Sequence, residues 1–200
     1  MKRLLVILIG VLAGISLIGC GTAREIKIKS NSEETSVFTE ARDGDPIPKG
    51  LVELTIKASI KTHIEGYYIA ESKKNLHGKE KYPFLVNIDA QAVTWEVEGI
   101  KEIKPAYDED GKTSRDPEAG EGLRYVLEKK IILTPGAHKV FFGLPSDNYA
   151  INVEISLNEG VVNILEFKPV YRTKDIPTKI TTFLKGINKY TAFLNGRQLP

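Results

Sequence analysis

The sequence predicts an all-β domain built as an antiparallel β-sandwich, and three observations carry that prediction. A two-residue hydrophobic period runs from Leu51 to Lys61, short β-prone segments recur between clusters of turn residues, and little helical period stands outside the first 20 residues. Period two marks a strand with one dry face, because successive side chains point to opposite faces of a sheet.

The start of the chain reads differently. Met1-Lys2-Arg3 is basic, and Leu4 to Ile18 is an uncharged apolar run of about 15 residues, short for a bilayer-spanning helix. Small Gly19 then precedes Cys20, the single cysteine of the sequence. Leu17-Ile18-Gly19-Cys20 resembles the lipobox of bacterial lipoproteins. That resemblance implies a signal peptide over residues 1–19, cut before Cys20, and a diacylglycerol on its sulfur. It further implies acylation of the new amino terminus. Several acyl chains on one residue exceed the two-signal threshold for stable anchoring, so the expected partner of Cys20 is a membrane. Gly21, in place of aspartate, fits by the same resemblance the outer-membrane sorting preference of diderm bacteria. The expected location is the cell envelope, with the outer membrane favoured in a diderm source.

Cleavage changes the charge balance. The full chain has 28 Lys and Arg against 26 Asp and Glu, and losing Lys2 and Arg3 leaves 26 against 26. A neutral balance gives no electrostatic reason to expect nucleic acid, which is bound through basic patches and counterion release. It gives no polybasic membrane contact either. With Cys20 lipidated, no thiol remains for a disulfide, a nucleophile or a zinc-thiolate site, so stability has to come from a packed core.

Residues 20–50 read as the lipidated cysteine and a flexible tether. Ser30 to Thr35 is polar, and Asp43-Gly44-Asp45-Pro46-Ile47-Pro48-Lys49-Gly50 is dense in turn residues. A first strand at Glu25 to Lys29, and pairing of Val37-Phe38 with the domain edge, stay open within this segment. The β-sandwich domain is expected over residues 51–200. Val52, Leu54, Ile56, Ala58 and Ile60 fall on one face of its first strand, with Glu53, Thr55, Lys57, Ser59 and Lys61 on the other. Tyr67-Tyr68-Ile69-Ala70 keeps a β-prone composition, and Lys73 to Lys81 is a charged turn or loop. Phe84 to Ile88 and Val93 to Val97 flank Asp89-Ala90-Gln91 as a tight hairpin would, closed by Glu98-Gly99. Pro105 to Gly122 has six acids, two prolines and three glycines, and reads as a long acidic, disordered loop.

Strand signals return at Tyr125 to Leu133 and stop at the turn Thr134-Pro135-Gly136. Val140, Phe142 and Leu144 alternate next, then Ile151, Val153, Ile155 and Leu157. Asn158-Glu159-Gly160 turns the chain into Val161 to Phe167. Leu133-Thr134-Pro135-Gly136-Ala137-His138-Lys139-Val140 and Leu157-Asn158-Glu159-Gly160 resemble the PEGA-type group of small bacterial β domains over about residues 125–168, although the turn reads Pro135-Gly136-Ala137 and not Pro-Glu-Gly-Ala. The resemblance implies an extracytoplasmic binding or spacer module. Over residues 178–187, Ile180, Phe183, Leu184 and Ile187 have helical spacing, but Thr181-Thr182 and Gly186 oppose a helix, so two strands are expected in the C-terminal segment, with a hairpin at Asn195-Gly196. Seven to ten strands with regular turns give an immunoglobulin-like or transthyretin-like sandwich.

Catalytic motifs are absent from the sequence: it has no Gly-x-Ser-x-Gly elbow, no His-Glu-x-x-His, no phosphate-cradling glycine loop and no Cys-x-x-Cys. His63, His77 and His138 match no local metal-ligand spacing. His138 shares the parity of Val140 and Phe142 and reads as the end of a core-facing row, and His77 as a solvated loop residue. Asp108-Glu109-Asp110-Gly111 lacks the first ligand of a calcium loop. The sequence thus predicts no catalytic residue, no metal and no cofactor. Tyr67, Tyr68 and Tyr149 are the candidate binding residues, since a phenol pairs apolar area with a polar tip, whereas mid-strand Trp95 reads as core. The expected function is a lipid-anchored, non-catalytic module for binding or assembly of another envelope component, a protein or a polysaccharide. A polysaccharide binder would show a coplanar row of exposed rings, and a hydrolase would instead bring His63 or His138 to carboxylates in a concave site.

Overall fold

The computed structural model describes residues 21–42, 44–72, 75–107, 109–173 and 182–200. The lipobox residues Leu17, Ile18, Gly19 and Cys20 lie outside the described residues, as do Asp108 and Ile180-Thr181. Among the described residues the fold is all-β apart from one helix and two short 3-10 turns. Among the described residues no helix is long and apolar enough to cross a membrane.

Helix α1 spans Gly21–Lys29 and strand β1 Phe38–Ala41, both inside the segment read as tether. Ile26 of α1 packs against Leu85 and Phe141, and the Lys29 carbonyl accepts from Asn87. Arg24 to Lys29 is too short a run to separate period two from period 3.6, and packing of Ile26 decides for helix. The Gln91 side chain then receives the backbone N–H groups of Val37 and Phe38, which seats β1 beside β5. The pairing of Val37-Phe38 with the domain edge is thus what the chain adopts at Phe38, and α1 belongs to the packed body.

The remaining strands are β2 Val52–Thr62, β3 Lys81–Ile88, β4 Gln91–Lys104, β5 Gly120–Leu133, β6 Gly136–Leu144, β7 Tyr149–Leu157, β8 Asn163–Tyr171, β9 Ile187–Leu194 and β10 Arg197–Gln198. They join in one curled sheet of order β10-β9-β8-β2-β5-β4-β3-β6-β7, with β1 on β5. The shape is a half-barrel of mixed pairing, where the sequence leads one to expect two antiparallel sheets. Two features make the difference. Strand β8 runs parallel to β2, and β4 belongs to both halves of the curl.

Gln91 to Glu98 of β4 pairs with β3, and Gly99 to Lys104 pairs with β5. Gly99 is therefore a pivot inside a longer strand and not the end of the hairpin. A Cβ at this position would stand 2.7 Å from the Tyr125 ring and 2.8 Å from Leu123, so only glycine lets β4 cross here. The expected β3-β4 hairpin is present, turning on Asp89 and Ala90 with φ of 44° and 73°.

The core lies between the two halves of the curl. Leu54, Ile56, Ala58 and Ile60 of β2 are buried as their parity predicts, and so is Trp95. Phe142 of β6 stacks on Phe167 of β8, with centroids 4.2 Å apart and planes 10° apart. These strands sit in opposite halves, so the ring pair joins the halves directly. Phe167→Ala is expected to cost about 3–5 kcal/mol, through lost transfer energy and the cavity left on Phe142. Urea unfolding checks this, with a lower midpoint at an unchanged slope as the expected result.

Candidate functional site

The ends of β2 and β8, the starts of β3, β7 and β9, and the 3-10 turn Pro145–Asp147 meet at one mouth of the half-barrel. They surround an open cavity of about 500 Å3. His63 follows the last residue of β2 and is only 3% exposed. Its Nδ1 lies 2.9 Å from the Ile64 carbonyl oxygen. Its Nε2 stands 2.9 Å from Glu71 Oε1 and 3.2 Å from His77 Nδ1. His77 Nε2 is in turn 2.9 Å from Asp147 Oδ1, and the Tyr82 hydroxyl donates to the other oxygen of that carboxylate.

His77 is thus a half-buried member of a side-chain network, not the solvated residue its charged surroundings suggest. Gly78 brings it there. With φ of +73° and a would-be Cβ 2.1 Å from the Glu65 backbone nitrogen, this position folds the chain back onto β2. The Gly78 N–H then donates to Thr62 Oγ1 at 3.1 Å. Burial, and next the Asp147 charge, push the Tyr82 phenol well above its ordinary pKa, which keeps it a hydrogen-bond donor.

The candidate binding residues come to this mouth, in different roles. Tyr67 and Tyr68 are each 46% exposed, and Ile69 beside them is fully exposed. Tyr67 stacks on the His63 ring with centroids 5.7 Å apart, while Tyr68 donates its hydroxyl to the Leu184 carbonyl at 2.7 Å. The Tyr67 and Tyr68 planes meet at 87°, so these two rings do not make the coplanar row a flat sugar platform needs. Tyr149 forms part of the cavity wall, its hydroxyl accepting the Tyr190 N–H at 2.7 Å. Arg172 lines the cavity too, held by its Nε donating to the Ile187 carbonyl at 3.0 Å.

His63 meets a carboxylate in a concave site, the arrangement a hydrolase would show, yet both nitrogens of His63 and of His77 are already engaged by protein groups. His138 is buried at the end of the core-facing row, as its parity predicts, with Nδ1 2.7 Å from Asp89 and Nε2 2.9 Å from the Thr134 carbonyl. Among the described residues no group of three or more His, Cys, Asp or Glu is placed to hold a metal ion.

The acidic segment after β4 is built in at its second half. Glu118, 8% exposed, pairs with Lys104 at 3.0 Å and Arg124 at 2.7 Å, and accepts the Tyr171 hydroxyl at 2.9 Å. The fully buried Lys61 ammonium donates to the carbonyls of Glu118 and Gly120 and faces Glu102 at 3.1 Å. Asp116 accepts the Glu118 N–H and pairs with Lys104. Burial acts to raise the Asp116 pKa, but that N–H and the Lys104 ammonium outweigh it and hold the carboxyl below its ordinary range. Burial likewise acts to lower Lys104, and Glu118 and Asp116 outweigh it. The role of this cluster is to clamp the loop to the sheet. Asp147, Arg172, Glu71 and Glu118 carried no sequence signal, because each meets its partners through contacts distant along the chain or through a turn of unspecific composition.

In comparisons with known proteins, no family model, curated protein or solved structure matches this chain.

Two predictions concern the clamp. Glu118→Gln is expected to destabilise by about 1–3 kcal/mol, because it removes the buried carboxylate charge that Lys104, Arg124 and the Tyr171 hydroxyl converge on. Glu121→Gln, at an exposed pair with Lys101, should stay within about 1 kcal/mol. Denaturant unfolding of both variants checks the contrast. For Asp116 the depressed pKa means a stabilisation present above the ordinary carboxylate range and lost as pH falls through the folded value. Asp116→Asn should therefore flatten the acid limb of a stability-against-pH curve and leave the limb near neutrality level.

Proposed function

We propose that the protein is a lipid-anchored cell-envelope module that binds another envelope component without catalysis, and that it does so at the open mouth of the half-barrel. The observation that carries this reading is the exposed Tyr67-Tyr68-Ile69 tip standing over a polar cavity. Aromatic anchors beside satisfied polar groups are the composition of interaction hot spots. Full exposure of Ile69 next to two half-exposed tyrosines favours a protein surface as the partner over a sugar chain. The complete engagement of His63 and His77 by protein groups supports binding over acid-base chemistry.

The anchor in this proposal is lipid on Cys20, supported by the lipobox resemblance, with the outer membrane as destination where the source has one. In the same reading the PEGA-type resemblance and the immunoglobulin-like or transthyretin-like sandwich describe a receptor module, whose two half-sheets close on one core. Ile26, six residues after Cys20, packs on the sheet, so the lipid would hold the domain close to the bilayer.

The test has two arms. Growth with a palmitate analogue should label the native chain, and Cys20→Ser should abolish both label and membrane retention. Capture from solubilised envelope should then yield a stoichiometric protein with the native chain, lost when Ile69→Asp and Tyr67→Ala are combined. A partner retained by that double variant, or recovery of polysaccharide alone, would overturn the assignment of the mouth as a protein-binding site.

A further inference from the structure

We propose that His63 and His77 share one extra proton, and that this proton latches the Glu71 segment over the cavity, making the proposed binding site responsive to pH. The inference rests on the mouth being the binding site, and it is argued from hydrogen-bond valence. A backbone carbonyl only accepts, so His63 Nδ1 must carry a hydrogen toward Ile64. An ionised carboxylate only accepts, so His77 Nε2 must carry one toward Asp147. The nitrogen-to-nitrogen contact at 3.2 Å needs a third, on either His63 Nε2 or His77 Nδ1. Two neutral imidazoles bring two such hydrogens, so the three contacts leave the pair with one positive charge.

The surroundings fit that charge. Glu71 Oε1 lies 2.9 Å from His63 Nε2 and supplies the opposite charge at the shared proton. Asp147, from the turn after β6, accepts from both His77 and Tyr82. Arg172, after β8, and Lys185, ahead of β9, line the same cavity and are the cations facing the pair from that side. Tyr67 and Tyr68 cover His63 from the loop after β2. Without the shared proton, two lone pairs would face each other at 3.2 Å, and the Glu71 carboxylate would face an unprotonated nitrogen. Attraction becomes repulsion at the point where the loop is held.

Glu71 transmits the change because of what it is tied to. Asn75 donates from its side-chain nitrogen to the same Oε1 at 2.8 Å and accepts the His77 N–H at 3.1 Å. The exposed Tyr67-Tyr68-Ile69 tip lies on the stretch of chain between His63 and Glu71. The latch is therefore closed while the pair keeps its proton and opens as pH rises through the titration of the pair.

The experiment is nitrogen-15 NMR of the imidazoles across a pH series, with amide exchange read on the same samples and corrected for its intrinsic base catalysis. With the latch closed, three of the four ring nitrogens of His63 and His77 should carry hydrogen. As the third hydrogen leaves, exchange at Tyr68 to Glu71 and at Asn75 should rise at least tenfold. Glu71→Gln, which can donate or accept at His63, should hold exchange constant through the same titration. His138 against Asp89 serves as an internal reference outside the mouth. Two hydrogens on the pair throughout, or exchange that ignores the titration, would overturn the latch. So would an unchanged pH response in Glu71→Gln, or binding of added Zn2+ alone in place of the proton. None of these readouts uses a partner, so failure of the latch and failure of the binding reading are separate results.

Discussion

Strand β4 has to serve two partners, and the architecture follows from how it does so. Its first half is taken by β3 and its second by β5, with the exchange at Gly99. A strand shared in this way cannot leave two independent sheets, so the halves become one curled surface around a common core. The exchange also uncovers the far end of β5, where Lys130 to Leu133 would otherwise present unpaired backbone groups. Strand β1 occupies that place, and Trp95 donates to Glu40 at 2.8 Å across the gap. The segment before β2 is therefore required by the sheet.

Closing the curl brings strand ends together at the mouth, and β2 shows how the fold uses this. Lys61, Thr62 and His63 are consecutive yet enter different environments. Lys61 is buried under the Glu118 segment, Thr62 accepts the Gly78 N–H, and His63 faces Glu71 and His77. The Tyr171 hydroxyl accepts the Lys61 backbone N–H at 2.8 Å and donates to Glu118, so the end of β8 binds the end of β2 to the loop clamp. Burial, and next the Glu118 charge, raise the Tyr171 pKa far above the ordinary phenol value and keep that donor in place.

Local pattern carried the strands and little of their assembly. The face of β2 was legible because Val52, Leu54, Ile56, Ala58 and Ile60 alternate without a break, and the Asn195-Gly196 turn into β10 because its type is residue-specific. Parallel pairing of β2 with β8 left no trace in either strand, since alternation states which side is dry and not which neighbour lies alongside. The loop after β4 read as disordered from its acids, and two of the cations that pair with them, Lys104 and Arg124, lie in strands whose arrangement composition does not reveal. The candidate site divides in the same way. Tyr67, Tyr68 and Tyr149 were visible as aromatic residues in β-prone segments, whereas the His63-His77 contact depends on a backbone reversal at Gly78 and on Asp147 arriving from a distant turn.

The two polar networks at this end of the half-barrel differ in a way that bears on function. Lys61, Lys104 and Arg124 face Glu102, Asp116 and Glu118, so three cations meet three carboxylates. A balanced set of that kind satisfies its own charges through a connected network and suits a clamp. The second network contains two imidazoles in contact with each other, and imidazole is the side chain whose unperturbed charge changes near neutrality. Stability alone would be served as well by an apolar contact at this position, since polar groups buried beside one another gain little over well-packed carbon. A titratable pair at the base of the exposed aromatic tip therefore points to a site whose shape answers to its surroundings, which a binding module can use and a passive spacer cannot.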